Sequence, residues 1–340
     1  MNRRSLTVLL GLLAAMLVLA GLLSITQRDT GADGGLLLPG LRDALNDIDR
    51  VVITGPGEEP IVTLARDADR WVVTQRNDYP ADITRLRPLL IALAEARIIE
   101  ETTANPALHA RLGVQDLDQP EADGLRIALT RGDTALGTVL LGDSPAVGQV
   151  YARRNAAARS YLVAADLDPG RDMRDWLQQQ VLDIPANRIA TVTITHPDGE
   201  VLRLLRDPKD GFGFTVADLP EGRQLRFATV ADGIGGVLGS LNLDDVTPAA
   251  DTPLDDASAT LARFETTSGL VIEARAWQVP DGLRVRFNAE AAGDPAAEDA
   301  AQLLREASDI NARTAGWLYT LPTFKSEQLV QRLEDLLAPE

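Results

Sequence analysis

Two stretches of this chain are written to one plan. Ile48–Trp71 reads IDRVVITGPGEEPIVTLARDADRW, and Ile189–Phe212 reads IATVTITHPDGEVLRLLRDPKDGF. Few residues are identical, but the same physical events arrive in the same order. An alternating apolar run is followed by a Gly/Pro turn, a second alternating run, an Arg-Asp turn and an aromatic residue. Apolar residues at every second position line one face of a strand, and turns this close together make neighbouring strands antiparallel. Further downstream, Leu90, Leu93 and Ile98 match Leu238, Leu241 and Val246, and Tyr161-Leu162-Val163 matches Leu318-Tyr319-Thr320. Two copies at this separation point to a duplication rather than a solenoid. The expected fold is α+β. An N-terminal transmembrane helix precedes two tandem, duplicated antiparallel-sheet modules with packing helices, the first over 47–183 and the second over 184–340.

Between the strands the pattern changes period. Ile83–Arg97 carries Ile83, Leu86, Leu89, Leu90, Leu93 and Ala94 at helical spacing behind Asp82, a residue suited to an N-cap. Asn105-Pro106 opens a short helix that Gly113 closes. Leu125–Leu141 predicts a hairpin turning at Arg131-Gly132-Asp133, and Val150–Ala164 a second with its tip near Asn155. Arg171–Val181 and Phe324–Leu337 each predict an amphipathic helix, and the Ala-rich insert near Ala289–Ile310 a further one.

Leu6–Ile25 carries no charge, and a span of about 20 apolar residues matches the roughly 30 Å hydrocarbon core of a bilayer. It is longer than the apolar run of a cleaved signal peptide and lacks a small-x-small cleavage site beyond its end. With no cysteine to accept a lipid, the reading is an uncleaved signal-anchor over 1–27, spanning from Leu6 to Ile25. Arg3 and Arg4 place the N-terminus in the cytoplasm, so the bulk of the chain lies in the periplasm of a bacterial inner-membrane protein. Residues 28–46, Gly-rich at first, read as a tether. The net charge of −17 argues against nucleic acid or an anionic lipid surface as partner.

Chemical motifs are scarce. The two histidines, His109 on a short surface helix and His196 at a turn, lie in no metal-ligand spacing. Asp116, Asp118 and Asp123 cluster, but Pro120 and Ile127 stand where a calcium loop needs ligands. Asp244, Asp245, Asp251, Asp255 and Asp256 form a second acidic loop. Gly233-Ile234-Gly235-Gly236 has the look of a dinucleotide loop but sits in no βαβ unit, and its glycines read as permission for close helix–sheet packing. No nucleophile motif occurs. Trp71, Trp176, Trp277 and Trp317 read as core anchors. No catalytic, cofactor or metal residue is therefore nominated, and no cofactor is expected.

Trp71, Tyr79-Pro80-Ala81-Asp82 with its Leu-rich helix, Leu112-Gly113-Val114, Pro120, Leu141-Gly142, Tyr151-Ala152-Arg153 and Tyr161-Leu162-Val163 follow one another in an order that resembles the bacterial domain-of-unknown-function 4340 family. The second module departs from it, with Arg226-Phe227-Ala228-Thr229 where Tyr-Pro-Ala-Asp would stand. The resemblance implies an accessory component beside ABC transport systems of the gliding-motility type, with the permease and ATPase complex as partner. It carries no catalytic residues. The expectation is a non-catalytic, membrane-anchored accessory or scaffold protein. The alternatives are a tethered envelope hydrolase acting on carbohydrate, which needs a carboxylate pair in a cleft, and a periplasmic ligand-binding sensor.

Overall fold

A computed structural model describes residues 35–155, 157–207, 213–292 and 299–339. The span Leu6–Ile25, the tether up to residue 34, and Phe212 at the end of the second repeat lie outside the described residues. Among the described residues no helix is long and apolar enough to cross a membrane. They are mostly antiparallel sheet with a few helices, an α+β fold with open sheets. They divide into two units. The first takes the residues up to Val72 and Ile83–Trp176; the second takes Val73–Asp82 and Leu177 onward. The boundary read from sequence stood at 183/184.

The first unit begins earlier than a tether through residue 46 would allow. Leu36, Leu37, Leu38 and Leu41 are buried, the last on the short helix α1 (Leu41–Ala44). Three consecutive leucines are too apolar to stay in water, and the backbone beside them joins the sheet. Leu37 N donates to Ala96 O at 2.7 Å, and Ile98 N donates to Gly35 O at 2.7 Å.

The strands that follow are β1 (Arg50–Thr54), β2 (Pro60–Asp67) and β3 (Arg70–Val73); β4 (Tyr79–Pro80) lies on the segment assigned to the second unit. Helix α2 (Ile83–Glu95) precedes β5 (Arg97–Glu101), β6 (Leu125–Arg131), β7 (Thr134–Leu141), β8 (Gln149–Arg154) and β9 (Ser160–Ala164). The first unit's strands run β3-β2-β1-β6-β7-β8-β9-β5. Alternation sorts their faces: Val51, Ile53, Val62, Leu64, Ile127, Leu129 and Val139 are buried, while Val52, Thr63, Ala128 and Thr138 face the other way and are half-buried. In α2, Pro88 sits inside the helix on its exposed side, at a cost of about 3 kcal/mol. Leu86, Leu89, Leu90 and Leu93 are buried, and at ~1.5–3 kcal/mol each they outweigh it.

The second unit contains β10 (Gln180–Leu182), β11 (Ile189–Thr195), β12 (Val201–Arg206), β13 (Phe214–Val216), helix α3 (Asp232–Gly235), β14 (Leu241–Asn242) and β15 (Asp245–Pro248). Then come β16 (Thr260–Thr266), β17 (Leu270–Val279), β18 (Gly282–Ala291), α4 (Ala300–Thr314), β19 (Trp317–Thr320), α5 (Thr323–Ser326) and α6 (Leu333–Leu336). Its large sheet runs β13-β12-β11-β16-β17-β18-β19-β15, the order of the first sheet with each strand number raised by ten. Registers agree as well. Val52 pairs with Thr63 and Ala128, and Ala128 with Thr138. Thr193 pairs with Arg203 and Arg263, and Arg263 with Glu273. The extra residue of the first β1–β2 turn is absorbed by a bulge at Ile53/Thr54. One match shifts by a residue: Ile98 pairs with Val163 and Val246 with Tyr319, so Val163, rather than Leu162, occupies the place of Tyr319.

Three expected helices are not continuous. Arg171–Val181 is one 3-10 turn, Met173–Trp176, followed by β10, because Val181 and Leu182 are both buried and an extended chain suits burial on both sides. The stretch matching α2 keeps only the single turn α3. Gly233, Gly235, Gly236 and Gly239 each lower helix propensity by ~1 kcal/mol. Gly235 is required for packing: a Cβ there would lie 2.1 Å from the Phe214 ring. Phe324–Leu337 breaks into α5, a 3-10 turn Glu327–Val330, and α6. The break falls at Gln331-Arg332, where Gln331 O is bonded by His196 and Arg332 N donates to Asp335 Oδ2 at 2.9 Å to start a new helix. The Ala-rich insert does contain a helix, α4, which buries Leu303, Ala307 and Ile310.

Candidate functional site

Both histidines, Asp245 and Asp255 are committed to the fold. His109 is buried rather than on the surface, because the 3-10 turn Pro106–Leu112 aims it inward, and its Nε2 lies 2.9 Å from Ala158 O. His196 is also buried, with Nε2 3.2 Å from Gln331 O and Nδ1 3.2 Å from Thr260 Oγ1. Asp245 forms a bidentate pair with Arg76 at 2.7 and 3.0 Å. Asp255 accepts from Ala257 N at 3.0 Å, which caps the turn Asp256–Ser258. Among the described residues no group of three His, Asp or Glu side chains could hold a metal ion. Trp176 and Trp277 are buried anchors, Trp71 and Trp317 half-buried ones.

The motif Tyr79-Pro80-Ala81-Asp82 belongs to the second unit's packing. Tyr79 meets Trp317 edge-on at 5.0 Å and Tyr319 at 6.4 Å, and its hydroxyl donates to Gln178 O at 3.2 Å. Burial pushes the Tyr79 hydroxyl up to about 12, and burial pushes that of Tyr319 up as well. Both stay neutral at physiological pH and act as hydrogen-bonding core residues.

What remains open is the outer face of each sheet, where one position is used in two ways. Thr138 and Glu273 hold the same place, so two residues on, Leu140 matches Arg275. Their partners on the next strand are Arg153 and Arg286. Each of these arginines meets an aspartate from the same connection in its own unit. Asp116, between β5 and β6, pairs with Arg153; Asp256, between β15 and β16, pairs with Arg286.

In the first unit this contact is sealed. Arg153 Nε donates to Val114 O at 3.0 Å, Nη1 to Ala157 O at 3.1 Å, and Nη2 to Asp116. Its side chain is only 8% exposed. Val114, Leu117 and Leu140 form a small core over it, with Leu112 and Tyr151 at the margin. The loop can descend this far because Gly142 has no side chain: a Cβ would lie 2.1 Å from Leu112 O.

In the second unit the residue in the place of Gly142 is Trp277. The indole is buried under its loop with Ala259 and Leu318, and its Nε1 donates to Asp255 O at 2.9 Å. A side chain of this volume holds the loop away from the strand. Arg286 stacks over the indole at 5.2 Å and reaches Asp256 through Nη2 alone, at 3.0 and 3.2 Å. Arg275, directly opposite it, shares the same carboxylate at 3.3 Å. Glu273 pairs with Arg263 at 3.1 Å and, more loosely, with Arg275. The result is a ladder of alternating charges across the sheet, beside a depression of about 520 Å³ that Asn288, Glu290 and Gly316 also line.

A larger groove of about 870 Å³ lies along α4, with Leu182, Ile184, Leu303 and Ile310 among its walls and Asp183, Asp299, Glu306 and Asp309 on them. Here Arg188 holds Glu306 bidentately at 2.7 and 2.9 Å, which keeps the Glu306 carboxyl below its ordinary value and raises Arg188. A general acid for glycoside cleavage needs the opposite shift. Asp183 is engaged with Ser240 N at 2.8 Å.

Two open antiparallel sheets wired alike, with their connections folded over one face, define the class as an α+β protein whose variable surface is that face. The chain belongs to the family described as Domain of unknown function (DUF4340), whose model matches residues 71–259, more than half of its length. That match starts at Trp71, takes in the Tyr79–Asp82 motif, and runs into the second sheet. No curated protein and no solved structure matches the chain.

Proposed function

We propose that this is a non-catalytic, membrane-anchored binding protein of the bacterial envelope, auxiliary to an ABC-type transport system. In this reading Leu6–Ile25 spans the inner membrane and two modules that arose by duplication stand in the periplasm. The observation that carries it is the contrast between the two outer faces. The framework and the Arg–Asp contact recur, while the surface around them changes from a sealed apolar patch to an open ladder of Arg263, Glu273, Arg275 and Arg286. Such a ladder offers charged donors and acceptors at fixed spacing, which gives partner specificity more than affinity. Tethering supplies the rest, since an anchored module meets membrane partners at high effective concentration. The ABC association rests on the family resemblance.

Affinity capture of the tagged full chain from detergent-solubilised membranes tests the reading. The expected result is recovery of permease and ATPase subunits. Their consistent absence, with the chain itself recovered intact, would contradict it.

A further inference from the structure

We infer that Asp256 is an internal stand-in for a carboxylate of a partner polypeptide, and that Arg275 and Arg286 form the clamp that receives it. The inference rests on the binding-protein reading above and names what the open face binds.

Arg286 occupies the same place as Arg153 but is used differently. Arg153 spends its fork on two carbonyls and a carboxylate. Arg286 engages only Nη2; its Nε and Nη1 donate to nothing among the described residues. The guanidinium is nonetheless held in place, stacked on the buried Trp277 ring. Arg275 stands directly opposite, and two like charges facing each other across a strand pair are unfavourable without a shared counter-charge. Asp256 supplies that charge weakly: its side chain is 53% exposed, and such pairs contribute little in water.

The loop does not need this carboxylate. It is held by Asp255, through the cap to Ala257 N, by Ser258 Oγ donating to Asp255 O, and by Trp277 Nε1. Asp256 can therefore exchange for an incoming carboxylate while the loop stays in place. With Glu265 also paired to Arg263, the three arginines Arg263, Arg275 and Arg286 are met by three carboxylates, Glu265, Glu273 and Asp256, so a second carboxylate at the clamp enters by exchange and not by addition. Arg286, Asn288 and Glu290 project from β18 at every second residue beside the depression. This matches an extended peptide, whose side chains also repeat by two. The occupant is thus an extended segment carrying a Glu or Asp for the clamp and a basic or amide group for Glu290.

The test uses the full chain in detergent micelles with a fluorescein-labelled octapeptide of Glu-Ser-Lys-Ser repeated, and a control with Gln for Glu. At about 0.15 M salt the Debye length is ~8 Å, so the chain's remote negative charge is screened while contact pairs persist. Fluorescence anisotropy should show weak binding to the wild type, and binding on the order of tenfold tighter to Asp256→Asn, which removes the internal competitor. The gain should vanish with the Gln peptide, and in Asp256→Asn combined with either Arg286→Gln or Arg275→Leu. Unchanged Tm values would show that the fold persists. Binding by Asp256→Asn no tighter than wild type would overturn the inference, as would a gain that survives loss of both arginines. Arginine-dependent binding of phosphatidylglycerol vesicles without the peptide would also overturn it. Capture of transporter subunits that Arg286→Gln leaves intact would sink the clamp and spare the accessory reading; peptide binding without capture would do the reverse.

Discussion

Arg153 and Arg286 sit at one place in two sheets of the same strand order, and each faces an aspartate from the same connection. One is buried and its fork is filled; the other is 38% exposed, with donors to spare. The difference traces to two neighbours. Gly142 lets the first loop drop onto its strand, and Leu140 closes the contact with apolar surface. Trp277 props the second loop up, and Arg275 keeps the surface charged. A framework can therefore keep a contact and change its job by altering the residues beside it, without touching the pair itself.

The comparison breaks most readily at Gly142. Replacing it with Trp, the residue of the other unit, drives side-chain atoms into Leu112 O and the Val114 side chain. Destabilisation should be large, on the order of 3–5 kcal/mol, read by urea unfolding. A neutral Gly142→Trp would mean that the first loop is not seated on its strand.

Next comes the pair of arginines. Arg153→Met leaves the Val114 and Ala157 carbonyls without their donor and should cost about 2–4 kcal/mol. The matched change Arg286→Met removes a solvent-screened pair and a stacking contact, and should cost about 1 kcal/mol or less. Equal costs in denaturant titrations would erase the distinction between sealed and open.

The smallest effect lies in the groove along α4. Arg188 lowers the pKa of Glu306, so the pair contributes stability that is present above the ordinary carboxylate value of 4.5 and is lost as pH falls through the lowered value. Wild type should lose stability as the pH falls below that ordinary value and through the lowered one, and Arg188→Gln should lose less over the same window. Parallel pH–stability curves would show that the pair contributes nothing to the acid limb.

Much of the framework was legible from residues alone. Period-two alternation located the strands of the first sheet and, through the repeat, β11 and β12 of the second, because each strand has one buried face, whereas β16, β17 and β18 were not read from the sequence. The spacing of Leu86, Leu89, Leu90 and Leu93 located α2. The C-terminal segment misled because its apolar residues have helical spacing, yet His196 and the cap at Arg332 break the chain between them. Leu36–Leu38 looked like tether because of the glycines before them, while their burial depends on a strand far along the chain. The candidate site was not nominated. In the sequence Arg153 stands out only as part of Tyr151-Ala152-Arg153, and Arg286 lies in a stretch without a motif. Only when the two repeats are laid in register through Thr138 and Glu273 do Gly142 and Trp277, and the two arginines, fall opposite one another.

The most direct test of that contrast is native labelling of the chain with a guanidinium-directed dicarbonyl reagent, mapped by peptide mass spectrometry. Arg286 and Arg275 should be modified while Arg153 stays protected until the protein unfolds. Modification of Arg153 at the same rate as Arg286 would contradict the division into a sealed contact and an open one.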